Sequence, residues 1–508
     1  MNVVPLTPIT AVKVLRNVPL DSSYKDTLDF SGVSAQIAYF TSKAKFSWNN
    51  LTPVRLQNAL RLPENADNLY DCNYLMFQNS NFGTKWFYAF ITSIEYVNPN
   101  MSIVNFELDV WQTWQFDITI KPSFVVREHT NNDSIGANLV PENVELGDYR
   151  YGRYSGPGVL ISYTINIAST VDSSGSGVDG EMYGKVYSGL RYNYFATAEQ
   201  ANQFIAGIVS AGKGDSIVGI SMVPTEFKPT DSIIGKTIPH YTVSKNKKYD
   251  NIDGYVPKNN KLFTYPYNFL MVTNHQGTTA EYHYEYFEQS TCTFDYYGDA
   301  TLNPQAVLIP QDYKQSVTES TPPYDANPNE KIVMDGFPQC AFATDTFKAW
   351  LAQNASSTAI STLSSAMAAG VGVASGNPVA AAAGVLGVGN VIAKVADTSV
   401  LPPQAHGSTG SAAMITNGLK QFSFCPVFIR AEFARIIDDY FSMFGYATHR
   451  TKVPNITGRP SWNYVKTIDA KIVGSVPFGD MERIKQMFND GVTFWHGDWV
   501  GDYARNNK

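Results

Sequence analysis

Charge is scarce in this 508-residue chain. Asp, Glu, Lys and Arg make up 16% of it, against about a quarter in an ordinary globular protein. That composition excludes a disordered polyelectrolyte and a coiled coil, both of which depend on charge. The basic side is the weaker: 38 Lys and Arg against 45 Asp and Glu leave a net charge of −7. Gripping phosphates requires clustered cations, so nucleic-acid binding is excluded as the main task. Cysteine is scarce too. Cys72, Cys292, Cys340 and Cys425 stand far apart with no C-x-x-C pair, which excludes a thiolate zinc cluster and a disulfide framework. They read as four small buried hydrophobes in a reducing cytoplasm. Between Met1 and Leu20, Pro5, Pro8, Lys13 and Arg16 break up any apolar run. The expectation there is neither a signal peptide nor a membrane anchor.

Catalytic patterns are missing as well. The seven histidines show no metal-ligand spacing, and no G-x-S-x-G elbow occurs. Gly207 to Lys213 resembles the start of a phosphate loop, but Gly214 stands where Ser or Thr would reach magnesium, so it reads as a helix end. Asp250-Asn251-x-Asp253-Gly254 hints at calcium, yet position twelve of such a loop is Lys261 and a turn fits better. The carboxylate pair of a glycan hydrolase is assembled in space and leaves no spacing to read. The expectation is no catalytic residue, no cofactor and no metal.

What the chain does have is 30 Tyr, 29 Phe, 37 Gly and 27 Pro, the makings of strands punctuated by turns. The fold class expected is mainly β with a few helices, a multidomain β-rich α+β protein. A hairpin is predicted over Trp86–Trp111, where Val104, Phe106, Leu108 and Val110 alternate with Asn105, Glu107 and Asp109 around the turn Asn98-Pro99-Asn100. The polar face is then ordinary solvent exposure or the lining of a lumen. Tyr-rich strands follow, among them His283 to Phe287. Thr197 and Gln200 form a capping box for a helix burying Phe204, Ile205, Ile208 and Val209 and stopping at Gly212. Near the C-terminus, Phe433, Ile436, Ile437, Tyr440, Phe441 and Phe444 outline an amphipathic helix, with Asp438 and Asp439 off the stripe and Gly445 as its stop. A second helix is predicted from Asp480 as cap, burying Met481, Ile484, Met487 and Phe488. The domains expected are 1–155, β-rich; 156–330, a middle β-rich domain; 331–348, a connector; 349–419, an apolar loop; and 420–508, which completes the first domain.

Residues 349–419 stand apart. No charge occurs between Lys348 and Lys394, and only Lys394 and Asp397 are charged in the whole segment. Ile360, Leu363, Met367, Val371, Val373, Val379, Val385, Leu386, Val388, Val391 and Ile392 supply apolar surface. Small residues recur four apart, Gly372 with Gly376 and Ala380 with Gly384, near Gly370, and Asn377-Pro378 divides two arms. The arm 379–393 falls short of the roughly 20 residues that span a bilayer. A Gly/Ser/Ala linker or an Ala-rich core hairpin are the plain readings; the apolar content favours a membrane- or assembly-active loop.

Three local patterns carry a resemblance. They are Phe106-Glu107-Leu108-Asp109-Val110-Trp111-Gln112-Thr113-Trp114; Ser123-Phe124-Val125-Val126-Arg127-Glu128-His129 with Pro141-Glu142-Asn143; and Ile437 to Tyr446 with Lys452-Val453-Pro454-Asn455 and Arg459-Pro460-x-Trp462-Asn463-Tyr464. In these the chain resembles the tail knob, or distal tail tube, proteins of small phi-29-like podoviruses, most strongly over 80–150 and 420–470. Residues 160–330 carry no matching motif. The resemblance implies a tube-forming homohexamer at the distal end of a short tail in the virion, made in the host cytoplasm. Its partners would be itself, the upper tail and collar proteins, host membrane lipid, and DNA that passes without specific binding. A host wall component is a further candidate partner. The apolar loops would plug the lumen, then penetrate the host membrane as a channel for genome delivery. The alternatives are a tail-tip cell-wall glycan hydrolase or a glycan-binding adsorption protein, told apart by a cleft with two carboxylates. A soluble pore-forming toxin would need an export signal.

Overall fold

The computed structural model describes residues 10–51, 53–54, 58–79, 83–155, 163–171, 178–183, 186–225, 228, 233–234, 240–273, 278–299, 305–313, 332–334, 339–340 and 422–508. The chain is β-rich with few helices, as its composition predicts. It divides into two compact units: one of 1–146, 257–262 and 432–508, the other of 147–256 and 263–431.

The first unit is built on a seven-stranded sheet in the order Ala44–Leu51, Thr10–Arg16, Cys72–Asn79, Trp86–Asn98, Met101–Leu108, Ala59–Leu62, Pro53–Val54. Alternation along a strand feeds two cores. Val12 and Val14 join Leu60, Leu62, Leu75, Ala89 and Val104. Leu15 turns the other way and joins Tyr74, Met76, Tyr88 and Phe90. That second core also takes in helices α1 (Val33–Ser42), α2 (Val110–Trp114) and α5 (Phe478–Asp490), through Phe40, Trp111, Ile484 and Phe488. Strands Asp26–Leu28, Val492–Trp495, Trp462–Ile468, Ser123–Glu128 and Tyr446–Lys452 form a five-stranded sheet that lends it Trp462, Val465, Phe494 and Trp495. Trp111, Trp462 and Trp495 are at most 1% exposed. Burying each contributes about 4–6 kcal/mol before the entropy of ordering the chain.

The second unit holds a six-stranded sheet and two four-stranded sheets. Helix α3 (Ala198–Ser210) begins as its sequence predicts: the Gln200 amide donates to Thr197 Oγ1, and Gly212 ends it at φ +71°. The four-stranded sheets, Tyr149–Tyr151/Ser423–Ile429/Asn268–Thr273/Thr279–Tyr282 and His240–Asn246/Thr291–Asp299/Gln305–Gln311/Ile332–Met334, share one aromatic core. Leu270, Val272, Tyr282 and Phe424 enter from the first; Val243, Phe294, Tyr296 and Leu308 enter from the second.

Four local expectations change. The hairpin ends at Leu108; Asp109 leaves the strand, lies buried and caps α2, so it belongs to no solvent face. His283 to Phe287 is not a strand, since Tyr284–Tyr286 forms a 3-10 turn. In helix α4 (Ala431–Phe444) the buried face is Ala434, Ile437, Asp438 and Phe441, while Ile436 is 67% exposed. A carboxylate with backbone donors waiting for it outcompetes an isoleucine for the interior. Helix α5 starts at Phe478 behind Pro477, and Asp480 accepts from Trp114 Nε1 at 2.9 Å instead of capping.

Candidate functional site

The first motif is a buried knot. Asp109 accepts from the Gln112 amide at 3.0 Å, satisfying a donor the helix start leaves open. It also accepts from the Tyr74 hydroxyl at 2.8 Å. Burial nonetheless pushes its carboxyl up to about 6. Trp111 Nε1 donates to the Leu28 carbonyl, Gln112 Nε2 to the same carbonyl at 2.7 Å, and Gln36 Nε2 to the Gln112 carbonyl at 2.7 Å. One turn of helix thus ties together α1, strand Asp26–Leu28 and α5.

The second and third motifs meet each other. His129 accepts at Nδ1 from the Tyr464 amide, 2.8 Å, and donates from Nε2 to the Ser442 carbonyl, 3.1 Å. Both ring nitrogens are committed, and burial, with Arg459 adding to it, pushes the imidazole down to about 3. Glu128, fully buried, accepts from Lys452 and from the Asn455 amide. Arg127 Nη1 donates to the Gly445 carbonyl at 2.6 Å and pairs with Glu142. Glu142 also takes Lys261 Nζ at 2.6 Å and the Ala447 amide at 2.9 Å. Asp438 accepts from the Lys258 and Asn259 amides and from Asn259 Nδ2. These charged residues fasten chain segments together. Sequence reading missed Glu142–Lys261 because partners 119 residues apart leave no local pattern.

Thiols and turns add no chemistry. Burial pushes the Cys72 thiol up to about 11 and that of Cys292 to about 12, where neither is a nucleophile. Asp253 pairs with Arg150, and the Gly254 amide donates to Asn251 Oδ1, which makes the Asp250–Gly254 stretch a turn. Among the described residues no group of three His, Cys, Asp or Glu is placed to hold a metal, and no helix is long and apolar enough to cross a membrane.

The loop residues Ile360, Leu363, Met367, Gly370, Val371, Gly372, Val373, Gly376, Asn377, Pro378, Val379, Ala380, Gly384, Val385, Leu386, Val388, Val391 and Ile392 lie outside the described residues. Strands to either side of them are described. Gln339–Cys340 pairs antiparallel with Ile220 and Ser221. On the far side Phe422 meets Tyr296 edge-on at 5.1 Å, Phe424 packs on Phe294 at 5.2 Å, and Ser423–Ile429 runs down the middle of its sheet. Ser423–Ile429 is therefore a firmly buried strand of the second unit.

Known proteins share this architecture. The model of the caudoviral major tail protein N-terminus matches residues 8–119. That of the C-terminal domain of tail knob protein gp9 of Bacillus phage phi29 matches residues 234–508, more than half of the chain. The chain belongs to the tail knob gp9 family. The tail knob protein gp9 of Bacillus phage B103 is 27% identical, and that of Bacillus phage phi29 26% identical, each over the full length of both chains. The solved structure of the bacteriophage C1 tail knob protein, gp12, matches with a TM-score of 0.63 over 98% of each chain at 15% identity, which marks a shared fold. As a tail knob protein the chain is a structural part of a phage tail and not an enzyme. The three motifs, with Asp109, Glu128, His129 and Asp438 buried among them, are accordingly the framework of a virion component.

Proposed function

We propose that six copies of this tail knob chain form a tube at the distal end of a short tail, joined to the tail proteins above it. The loops of 349–419 plug the lumen before infection, then enter the host membrane and line a passage for DNA. The observation that carries this reading is the absence of any charge between Lys348 and Lys394 in a chain of this family. Such a segment is costly in water. Six copies bury one another through Ala and Gly contacts, and transfer to lipid involves no charge burial except at Lys394 and Asp397, which stay at the interface. Six chains at −7 each carry −42, a sign that repels phosphate and lets DNA slide. In this reading 1–146 with 432–508 build the wall of the tube, and the second unit carries the loop. The test removes residues 352–418 and measures dye release from liposomes at neutral and mildly acidic pH. The expected result is an assembled tube that releases no dye. Undiminished release would make the segment a linker.

A further inference from the structure

One sheet of the second unit is paved with tyrosine. Leu270, Val272, Tyr282 and Phe424 point from its strands into the aromatic core. The alternate residues Phe269, Cys425 and Val427 cluster on the other face with Tyr149 and Met271. Register sets Tyr151 beside Val427 and Val427 beside Phe269, and sets Cys425 beside Met271 and Met271 beside Glu281. Tyr149 and Tyr265 both meet Phe269 edge-on, at 5.9 and 5.4 Å. Tyr265 lies flat on His283, 3.9 Å between centroids, and its hydroxyl bonds the exposed Glu281 carboxylate. The Tyr154 hydroxyl meets the Cys425 thiol.

Exposure is what sets this face apart. Tyr151 is 57% exposed, Tyr154 49% and Tyr265 38%, whereas Tyr267, Tyr282, Tyr284 and Tyr296 of the same unit are buried. Among the described residues of the unit, Val256 is the only other large hydrophobic so exposed. We propose that this face binds a neutral oligosaccharide. The C–H face of a pyranose is flat and apolar and packs on an aromatic ring, while its hydroxyls need acceptors beside that ring. Tyr151, Tyr154 and Tyr265 supply rings, and Glu281 supplies a carboxylate at the edge. Tyrosines also serve protein partners, but the core of a protein interface is poor in charge, whereas Glu281 stands exposed among these rings. An anionic polymer is repelled by Glu281. The proposal is independent of the loop, since none of these residues lies in 349–419.

The experiment titrates the full-length protein with an N-acetylglucosamine tetramer and, separately, with maltotetraose, by calorimetry and by saturation transfer to sugar protons. At least one probe binds. The Tyr151→Ala/Tyr265→Ala variant binds it at least tenfold more weakly, and Glu281→Gln several-fold more weakly. Melting curves check folding; if the double variant melts early, Tyr154→Ala and Glu281→Gln decide. Absence of binding by both probes overturns the proposal, as does equal binding by the variants. So does an alanine variant that fails to assemble while neither probe binds the intact protein, which would make the face a contact between copies of this chain.

Discussion

His129 and Asp109 are buried ionisable groups whose effects on stability have opposite signs. The imidazole is held neutral in the folded protein, from an ordinary value of 6.5 down to about 3. The unfolded chain binds the proton first, so stability present above pH 6.5 is lost as pH falls towards 3. The Asp109 carboxyl is raised from 3.8 to about 6. Its contribution is full below pH 3.8 and is lost as pH rises through 6. Between pH 6 and pH 4 each group changes stability by about 1.4 kcal/mol per pH unit, in opposite directions, so they nearly cancel. Asp109→Asn keeps an oxygen for the Gln112 amide and removes the titration. The variant should therefore lose about 2 kcal/mol more than the parent on going from pH 6 to pH 4. Denaturant unfolding at pH 6, 5 and 4 measures it, and parallel pH profiles for the two proteins would refute the assignment.

The junction of α4 with strand Tyr446–Lys452 shows what sequence makes visible at the level of elements. Gly445 is legible as a helix stop, and it sits at φ +63° with its amide donating to the Phe441 carbonyl. What the sequence conceals is the second reason for glycine: an added Cβ would lie 2.1 Å from the Glu128 carbonyl oxygen, on a strand more than 300 residues earlier. Gly445→Ala should cost about 3 kcal/mol or more, from left-handed strain plus a displaced strand. A fall in denaturant midpoint worth under about 1 kcal/mol would show that the strand yields freely. The same limit explains Ile436 and Asp438. Periodicity ranks side chains by polarity, and nothing local to α4 announces that Lys258 and Asn259 will bring donors to Asp438. Hairpin Trp86–Leu108 and helix α3 are legible because their patterns are satisfied within one element or between two strands adjacent in sequence. Asp109, Glu142 and His129 were not, because buried polar groups are explained by partners distant in the chain. The tyrosine face was also invisible, because it is assembled from four segments between Tyr149 and Val427.

At the scale of the whole molecule, the two kinds of sequence in this chain call for separable roles. The described strands fasten themselves with buried carboxylates and aromatic cores, whereas 349–419 has almost no charge and no Phe or Tyr with which to build such a core. Neither arm of the segment is rich in Leu, so on the proposed function one copy would partition weakly and several would have to enter together. In the proposed function, small residues four apart would let the arms approach closely in lipid as in the plug. A charge placed at the bilayer centre then acts on insertion alone. Val385→Asp with Val388→Asp should each add about 2.5–3.5 kcal/mol to transfer, enough to abolish dye release from liposomes. Assembly should persist, since the strands on either side, Gln339–Cys340 and Ser423–Ile429, pair with partners outside the loop. Electron microscopy of the variant checks the tube, and the leakage assay checks the membrane step. If the tube fails together with leakage, the loop is part of the scaffold. If both survive, it does not enter the membrane by this stretch, and the division of roles between strands and loop fails with it.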